Sequence, residues 1–301
     1  MAANGASRED RSRSPAPKCG GGSAGSGPPL SSPSCDLTGR HFIVTGATQG
    51  LGLEIARQLR LTGAARLALL SRTRSKGEAA AAELSSDSCV AGFVEADMED
   101  PASLEKAACA AIEFLGGRVD GLVNAAGITE RGNLMNTTVE MFDKQFSVNT
   151  RAPFLLTQAI SKHMIEKKAR GSIVNISSVA AKGGAPFIMA YSASKAALNV
   201  LTQNNAAELA PHGIRVNSID MGWTYTENEN KLMVAKGGPD WIIKADASMP
   251  LGRIMRPVDI ACTVCFLLGP ATEMMTGNVL SLHPDTALGL LSLKAEDSLE
   301  R

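Results

Sequence analysis

The chain has 301 residues (31.4 kDa), and its 30 basic residues balance 30 acidic ones, so it offers no electrostatic footprint for nucleic acid or for an anionic membrane surface. It is 44% hydrophobic and only 4% aromatic, which suits an aliphatic core between helices and sheet, and no run reaches the roughly 18 apolar residues of a membrane span. The four histidines, His41, His163, His212 and His283, are scattered and form no H-E-x-x-H, so no metal site is indicated.

Residues 1–36 are mostly Gly, Ser, Pro and Ala, a mixture that buries too little apolar surface to offset the entropy of ordering, and a disordered tail is expected there. The tail has no apolar stretch of a signal peptide. Its Ser and Arg content resembles a transit peptide, but Glu9 and Asp10 argue against one, so a cytoplasmic location is expected and organelle targeting by the tail stays open. From Arg40 onward, apolar runs of about five residues alternate with helical stretches, the signature of βαβ units. Strands are expected at 41–45, 66–70, 90–94, 122–124, 172–176, 215–219 and 279–282, with the first helix at 51–62. Right-handed crossovers then give an α/β fold, a doubly wound parallel sheet of Rossmann type with helices on both faces. One domain is expected over 37–285, followed by a short charged tail at 286–301. The six cysteines, Cys19, Cys35, Cys89, Cys109, Cys262 and Cys265, show no regular spacing and read as reduced thiols. Cys262 and Cys265 form a C-x-x-C inside the apolar run 260–268 and read as buried structural thiols, because a redox pair needs an exposed, electropositive helix start.

Thr-Gly-Ala-Thr-Gln-Gly-Leu-Gly at 45–52 lies between the first strand and its helix. Gly46, Gly50 and Gly52 are spaced G-x-x-x-G-x-G, not G-x-G-x-x-G, but side-chain-free positions serve the same purpose of letting backbone N–H groups and the helix N-terminus approach a pyrophosphate. A mere tight connection is the competing reading. The second strand ends in Leu70-Ser71-Arg72-Thr73-Arg74, without the acid that would meet the ribose of NAD. Ser71 and Arg72 offer a hydroxyl and a guanidinium suited to the 2′-phosphate of NADP, and Arg74 and Lys76 add positive charge; a solvated surface arginine is the alternative. Tyr191 and Lys195 stand at i and i+4 near the start of an Ala-rich helix, which puts the ammonium beside the phenol and favours the phenolate.

Taken together, the glycine turn, Asn124-Ala125-Ala126-Gly127, Asn149, the Ile-Ser-Ser at 176–178 and Tyr191-x-x-x-Lys195 follow the order and approximate spacing of the short-chain dehydrogenases/reductases, and residues 38–284 resemble that family. The resemblance implies that Tyr191 is the general acid/base, that Ser178 polarises the substrate oxygen, and that Lys195 lowers the Tyr191 pKa and binds the nicotinamide ribose. Asn149 is implied to hold a water that relays protons. The cofactor is implied to meet Gly46, Thr48, Gln49, Gly50, Leu51 and Gly52 at the turn, Ser71 and Arg72 at the ribose, and Asp97 and Met98 at the adenine. Asn124, Ala125, Ala126 and Gly127 are implied to run beneath it, with Gly222, Thr224 and Thr226 near the carboxamide. Asp97 also reads as a helix cap, and Asn124 as a tie between two strands.

Two departures stand out. Met221-Gly222 replaces the family's Pro-Gly, which removes a φ restraint at the start of the substrate loop, and Leu282-His283-Pro284-Asp285 replaces its Asp-Gly-Gly, which puts the end of the last strand in doubt. The long segment from Gly222 to Trp241 is expected to fold over the nicotinamide as a lid. Its hydroxyl, amide and carboxylate groups favour a sugar or polyol, against the bland reading that they face water. The expected activity is therefore interconversion of a carbonyl and a secondary alcohol on a small molecule, with NADP(H) favoured over NAD(H). The rivals are a 3-oxoacyl-thioester reductase and a non-catalytic NADP-binding sensor or scaffold; an epimerase or dehydratase of the family's longer branch is disfavoured by the glycine spacing. Through helices at 152–168 and 191–209, where Ala193, Ala196 and Ala197 permit close approach, the resemblance implies a homotetramer or homodimer.

Overall fold

The computed structural model describes residues 35–284, so the expectations for the two tails, for Cys19 and for Asp285 lie outside the described residues. Seven strands, β1 (His41–Thr45), β2 (Arg66–Ser71), β3 (Val90–Glu95), β4 (Gly121–Asn124), β5 (Gly171–Ser178), β6 (Ile214–Met221) and β7 (Val279–Leu282), form one parallel sheet in the order β3-β2-β1-β4-β5-β6-β7. The order reverses between β1 and β4, and it is outside the carboxyl ends of the strands at such a point that ligands bind in open α/β sheets.

Helices cover both faces, which is why the strands read as near-continuous apolar runs rather than as alternating ones. On one face α1 (Gly50–Leu61), α2 (Arg74–Leu84) and, late in the chain, the helix Pro257–Leu268 pack against Phe42 and Val44 of β1 and Leu67 and Leu69 of β2. On the other, α3 (Pro101–Phe114), α5 (Ala152–Glu166) and α6 (Met189–Leu209) pack against Ile43, Ala68 and Leu70. The short α4 (Val139–Phe146) runs into α5 through a π-helical turn, Ser147–Arg151. After β6 come α7 (Glu227–Gly237) and α8 (Trp241–Ala247), and the helix Pro257–Leu268 is α9.

The strands fall where they were expected, but β5 and β6 each run two residues further, to Ser178 and Met221. Ser177 and Ser178 are polar, yet they stay in the ladder because Asp220 and Met221 pair with them. Met221 in turn pairs with Leu282, and the Gly222 amide donates to the Leu282 carbonyl at 2.9 Å. The start of the segment after β6 is thus held by the sheet despite the missing proline, and β7 keeps its register to its last residue. One expectation needs correction. Cys265 is buried, but Cys262 is exposed. The apolar run of α9 hides an outward stripe at Val258, Cys262 and Phe266, spaced four residues apart, which hydropathy alone does not distinguish from the buried side.

Candidate active site

The glycine turn fits a pyrophosphate. Gly46 (φ +66°) and Gly50 (φ +54°) adopt left-handed backbone conformations, and a Cβ on Gly46 would stand 2.9 Å from the Ala126 Cα. A Cβ on Gly52 would stand 2.3 Å from the Gly46 carbonyl oxygen, so close packing of α1 on the turn requires its absence. Gln49, at the N-cap of α1, makes no side-chain cap, and no acidic residue lies in the first turn, which leaves the positive helix end to an anion. Leu51, half-buried, packs on the core below. Across the turn, the buried Thr45 hydroxyl accepts from the amides of Ala125 and Ala126 at 3.0 and 2.9 Å and fixes the segment after β4 beside it. Gly127 follows, open above Asn149 Oδ1 and Lys195 Nζ, which a Cβ there would meet at 3.4 and 3.5 Å.

At the end of β2, the hydroxyls of Thr48 and Ser71 hydrogen-bond at 3.0 Å, and Lys76 donates to Gln49 Oε1 at 2.8 Å. Arg72 is 60% exposed, with a loose pairing to Glu99 at 3.4 Å, so its guanidinium can turn to another anion. Arg74 is committed to Glu95 at 2.7 Å and to Glu78 at 3.6 Å. Two residues assigned to the cofactor by resemblance are engaged inside the protein. Met98 is buried in the core beneath α3. Asn124, 1% exposed, donates to Asn175 Oδ1 at 2.8 Å and to Thr157 Oγ1 at 3.3 Å, tying β4 to β5 and α5. Asp97 accepts from the Glu99 amide at 2.9 Å, while the cap of α3 is Asp100.

The four residues of the proton-transfer set converge from three elements. Ser178 ends β5, Tyr191 and Lys195 lie on the first turns of α6, and Asn149 lies in the π-helical turn. Asn149 is fully buried; its Oδ1 accepts from the Ile128 amide at 2.9 Å, and its Nδ2 donates to the Ile128 carbonyl at 2.9 Å and to Ser194 Oγ at 3.0 Å. Lys195, 4% exposed, donates to the Ile176 carbonyl at 2.7 Å and stands 5.8 Å from the centre of the Tyr191 ring. Burial pulls Lys195 down to about 8, against the attraction of the Asp220 carboxylate. Burial also pushes the Tyr191 phenol up, while hydroxyls from Ser178 and Thr129 pull it back. In the chain by itself, desolvation is the larger influence on the phenol. Thr129 and Asp220 escaped the sequence reading. Thr129 lies only two residues beyond Gly127, so the segment itself could have pointed to it.

The segment after β6 also departs from its reading. Trp223 Nε1 donates to Glu229 Oε1 at 2.9 Å, and Trp241 Nε1 donates to Asn230 Oδ1 at 2.8 Å. Thr226 caps α7 by accepting from the Glu229 amide at 3.1 Å, and the Thr224 hydroxyl donates to the Gly222 carbonyl at 2.9 Å. Trp223, Tyr225 and Trp241 form a small aromatic core with Ile254 and Met249. Most of the polar groups on which a hydroxyl-rich ligand was argued are thus consumed in holding this subdomain together.

Comparison with known proteins agrees with this geometry. The family model described as short chain dehydrogenase matches residues 40–236. L-xylulose reductase of Bos taurus is 34% identical over 251 residues, covering 81% of this chain and 95% of that protein. Carbonyl reductase [NADPH] 2 of Sus scrofa is 32% identical over 250 residues, covering 81% and 94%. A solved short chain dehydrogenase/reductase family protein superposes with a TM-score of 0.72 at 36% identity, covering 82% of this chain and 97% of that one. Sequence, sheet order and the placing of the tyrosine–lysine pair lead to one family, and the chain belongs to the short-chain dehydrogenases/reductases, oxidoreductases that act on CH–OH groups with a nicotinamide cofactor.

Proposed function

We propose that the protein is an NADP(H)-dependent reductase/dehydrogenase that interconverts a ketone and a secondary alcohol on a small polar molecule of the sugar or polyol class. The observation that carries the reaction is the convergence of Ser178, Tyr191 and Lys195 beside the open Gly127, at the carboxyl ends of β4 and β5. When bound, the nicotinamide supplies or accepts the hydride. The glycine turn and the uncapped N-terminus of α1 would hold its pyrophosphate, and Lys195 its ribose. Tyr191 delivers a proton to the substrate oxygen or removes one from it, and Ser178 hydrogen-bonds that oxygen as its charge changes. Asn149 holds the Ile128 backbone at the edge of the site, where we place the water that carries protons onward. The exposed, loosely paired guanidinium of Arg72, the Thr48–Ser71 pair and the absence of an acid at the end of β2 favour NADP(H).

The sugar or polyol reading draws its support from the L-xylulose reductase relative rather than from the polar residues after β6, which are engaged internally. Exposed Phe154 on α5 and Val200 on α6 support pairing of these helices between subunits in a homodimer or homotetramer, which light scattering at micromolar concentration checks; a monomer would contradict it. Turnover is tested with ketoses, polyols and 3-oxoacyl thioesters against both cofactors. Thioesters preferred by more than about tenfold in kcat/KM would overturn the substrate class. Tyr191→Phe should lower kcat by about 10²- to 10⁴-fold with cofactor affinity retained; a variant keeping a tenth of the activity would exclude Tyr191 as the acid/base. Absence of turnover on every member of the panel, with NADPH still bound, would instead support a sensor or scaffold.

A further inference from the structure

Asp220 is a carboxylate in the interior that the proton-transfer set does not use. β6 carries it opposite Ser177 of β5, and it is 1% exposed. Asn199, one helical turn beyond Lys195 on α6, donates Nδ2 to Asp220 Oδ1 at 2.8 Å while its own Oδ1 accepts from the Ser218 hydroxyl at 2.9 Å. The Ser177 hydroxyl stands between two acceptors, the Asp220 carboxylate and the Lys195 carbonyl at 3.3 Å, and gives its one hydrogen to one of them at a time; burial pushes the Asp220 carboxyl up, and Asn199 and Ser177 pull it back. The carboxylate is therefore clamped between the sheet and the helix that carries the catalytic pair. Lys195, by contrast, rests its Nζ on a neutral acceptor, the Ile176 carbonyl, in a nearly waterless position. A buried ammonium held by neutral groups alone tends to lose its proton, so its charge needs an internal partner. Asp220 is tied through Asn199 to the same helix one turn from Lys195, and its charge attracts the ammonium.

We propose that Asp220 is a positioning residue of the proton-transfer site, an internal counter-charge that keeps Lys195 in its ammonium form through the interior and through the Ser177–Asn199 clamp. The proposal rests on the reading of Tyr191 and Lys195 as the working pair. The other charged and titratable groups around it come from each neighbouring element. Lys182, in the turn after β5, attracts Asp220 and donates to Ser281 Oγ of β7 at 2.8 Å. Tyr191 lies on α6, Glu229 on α7 acts with Asp220 on the phenol, and His283 follows β7 against Gly222. Asp220 also raises the Tyr191 phenol, so removing its charge moves both members of the pair in the same direction, toward lower pH.

The test is Asp220→Asn, which keeps size and an acceptor for Asn199 but removes the charge. Lys195 is followed by heteronuclear NMR in ¹³C-lysine-labelled, cofactor-free protein, with its signal identified by its loss in Lys195→Arg. We expect its titration midpoint to fall by about one pH unit, the order expected of one charge at modest distance in a protein of effective dielectric near 20. Both limbs of the kcat/KM profile for alcohol oxidation should move to lower pH with it. A midpoint and profile that superpose on the wild type within 0.2 unit (a margin of roughly a fifth of the expected shift) would overturn the proposal. Should Asp220→Asn not fold, Asp220→Ser removes the same charge while keeping an oxygen to accept from Asn199, and should lower the same midpoint; an unmoved midpoint there overturns the proposal equally. Because the NMR titration needs no substrate, its failure is distinct from a failure of the reductase reading, which shows as a wild type without turnover or a Tyr191→Phe variant that keeps it.

Discussion

Replacing Lys195 by methionine should make the cofactor-free protein more stable while abolishing its turnover. Lys195 has an ordinary value of 10.5 and is pulled to about 8 by burial in the folded protein. At about 1.36 kcal/mol per unit, the folded state below pH 8 carries a penalty of about 3 kcal/mol for the buried charge. Methionine is unbranched and apolar and suits the same buried position, but it gives up the Nζ bond to the Ile176 carbonyl, which costs about 1 kcal/mol. The net gain at pH 7 is then about 2 kcal/mol, which for a domain of this size raises Tm by roughly 4–8 °C. The sign of the pH dependence follows from the lowered value. Between pH 8 and 10.5 the folded protein sheds the Lys195 proton while the unfolded chain still holds it, so the wild type gains on the variant as pH rises through that window and the difference closes. Denaturant unfolding of both proteins without cofactor, at pH 7 and at pH 10, measures this. A variant no more stable than wild type at pH 7, or an advantage undiminished at pH 10, would refute the argument that burial of the ammonium costs more in the empty site than its internal partners return.

Two further outcomes check the cofactor cradle. Arg72→Ala should weaken NADP(H) by about tenfold, the low end of a charged hydrogen bond because the side chain is 60% exposed, and leave NAD(H) unchanged in fluorescence titrations; equal losses for both, or a wild type that prefers NAD(H), would remove Arg72 from the 2′-phosphate. Gly46→Ala should cost roughly 2–4 kcal/mol in denaturant unfolding without cofactor, since it combines a left-handed φ of +66° with a Cβ 2.9 Å from the Ala126 backbone. A loss below about 1 kcal/mol would mean that the turn relaxes to accept the methyl group.

Much of the fold is written locally. Apolar runs of five residues separated by helical stretches define β1 to β7 because each strand of a parallel sheet is buried on both faces and must be apolar along its length. The glycine turn is equally legible, since positive φ at Gly46 and Gly50 is a property of single residues. Tyr191 and Lys195 are legible as a pair because one helix brings i and i+4 together. What the sequence could not show is how partners from distant segments change the meaning of a residue. The same uniform apolarity that marks α9 conceals that Cys262 faces outward and Cys265 inward. Glu229 and Asn230 look like ligand groups until the indole nitrogens of Trp223 and Trp241 claim them. The Tyr191 phenol and the Lys195 ammonium read as a simple charge pair, but their proton affinities are set by desolvation, a quantity that exists only once the chain has closed around them. Asp220 is one acid among 30 in the sequence; only the pairing of β6 with β5 and the packing of α6 tie it to the helix that carries Lys195, because electrostatic influence follows distance in space and dielectric rather than position along the chain.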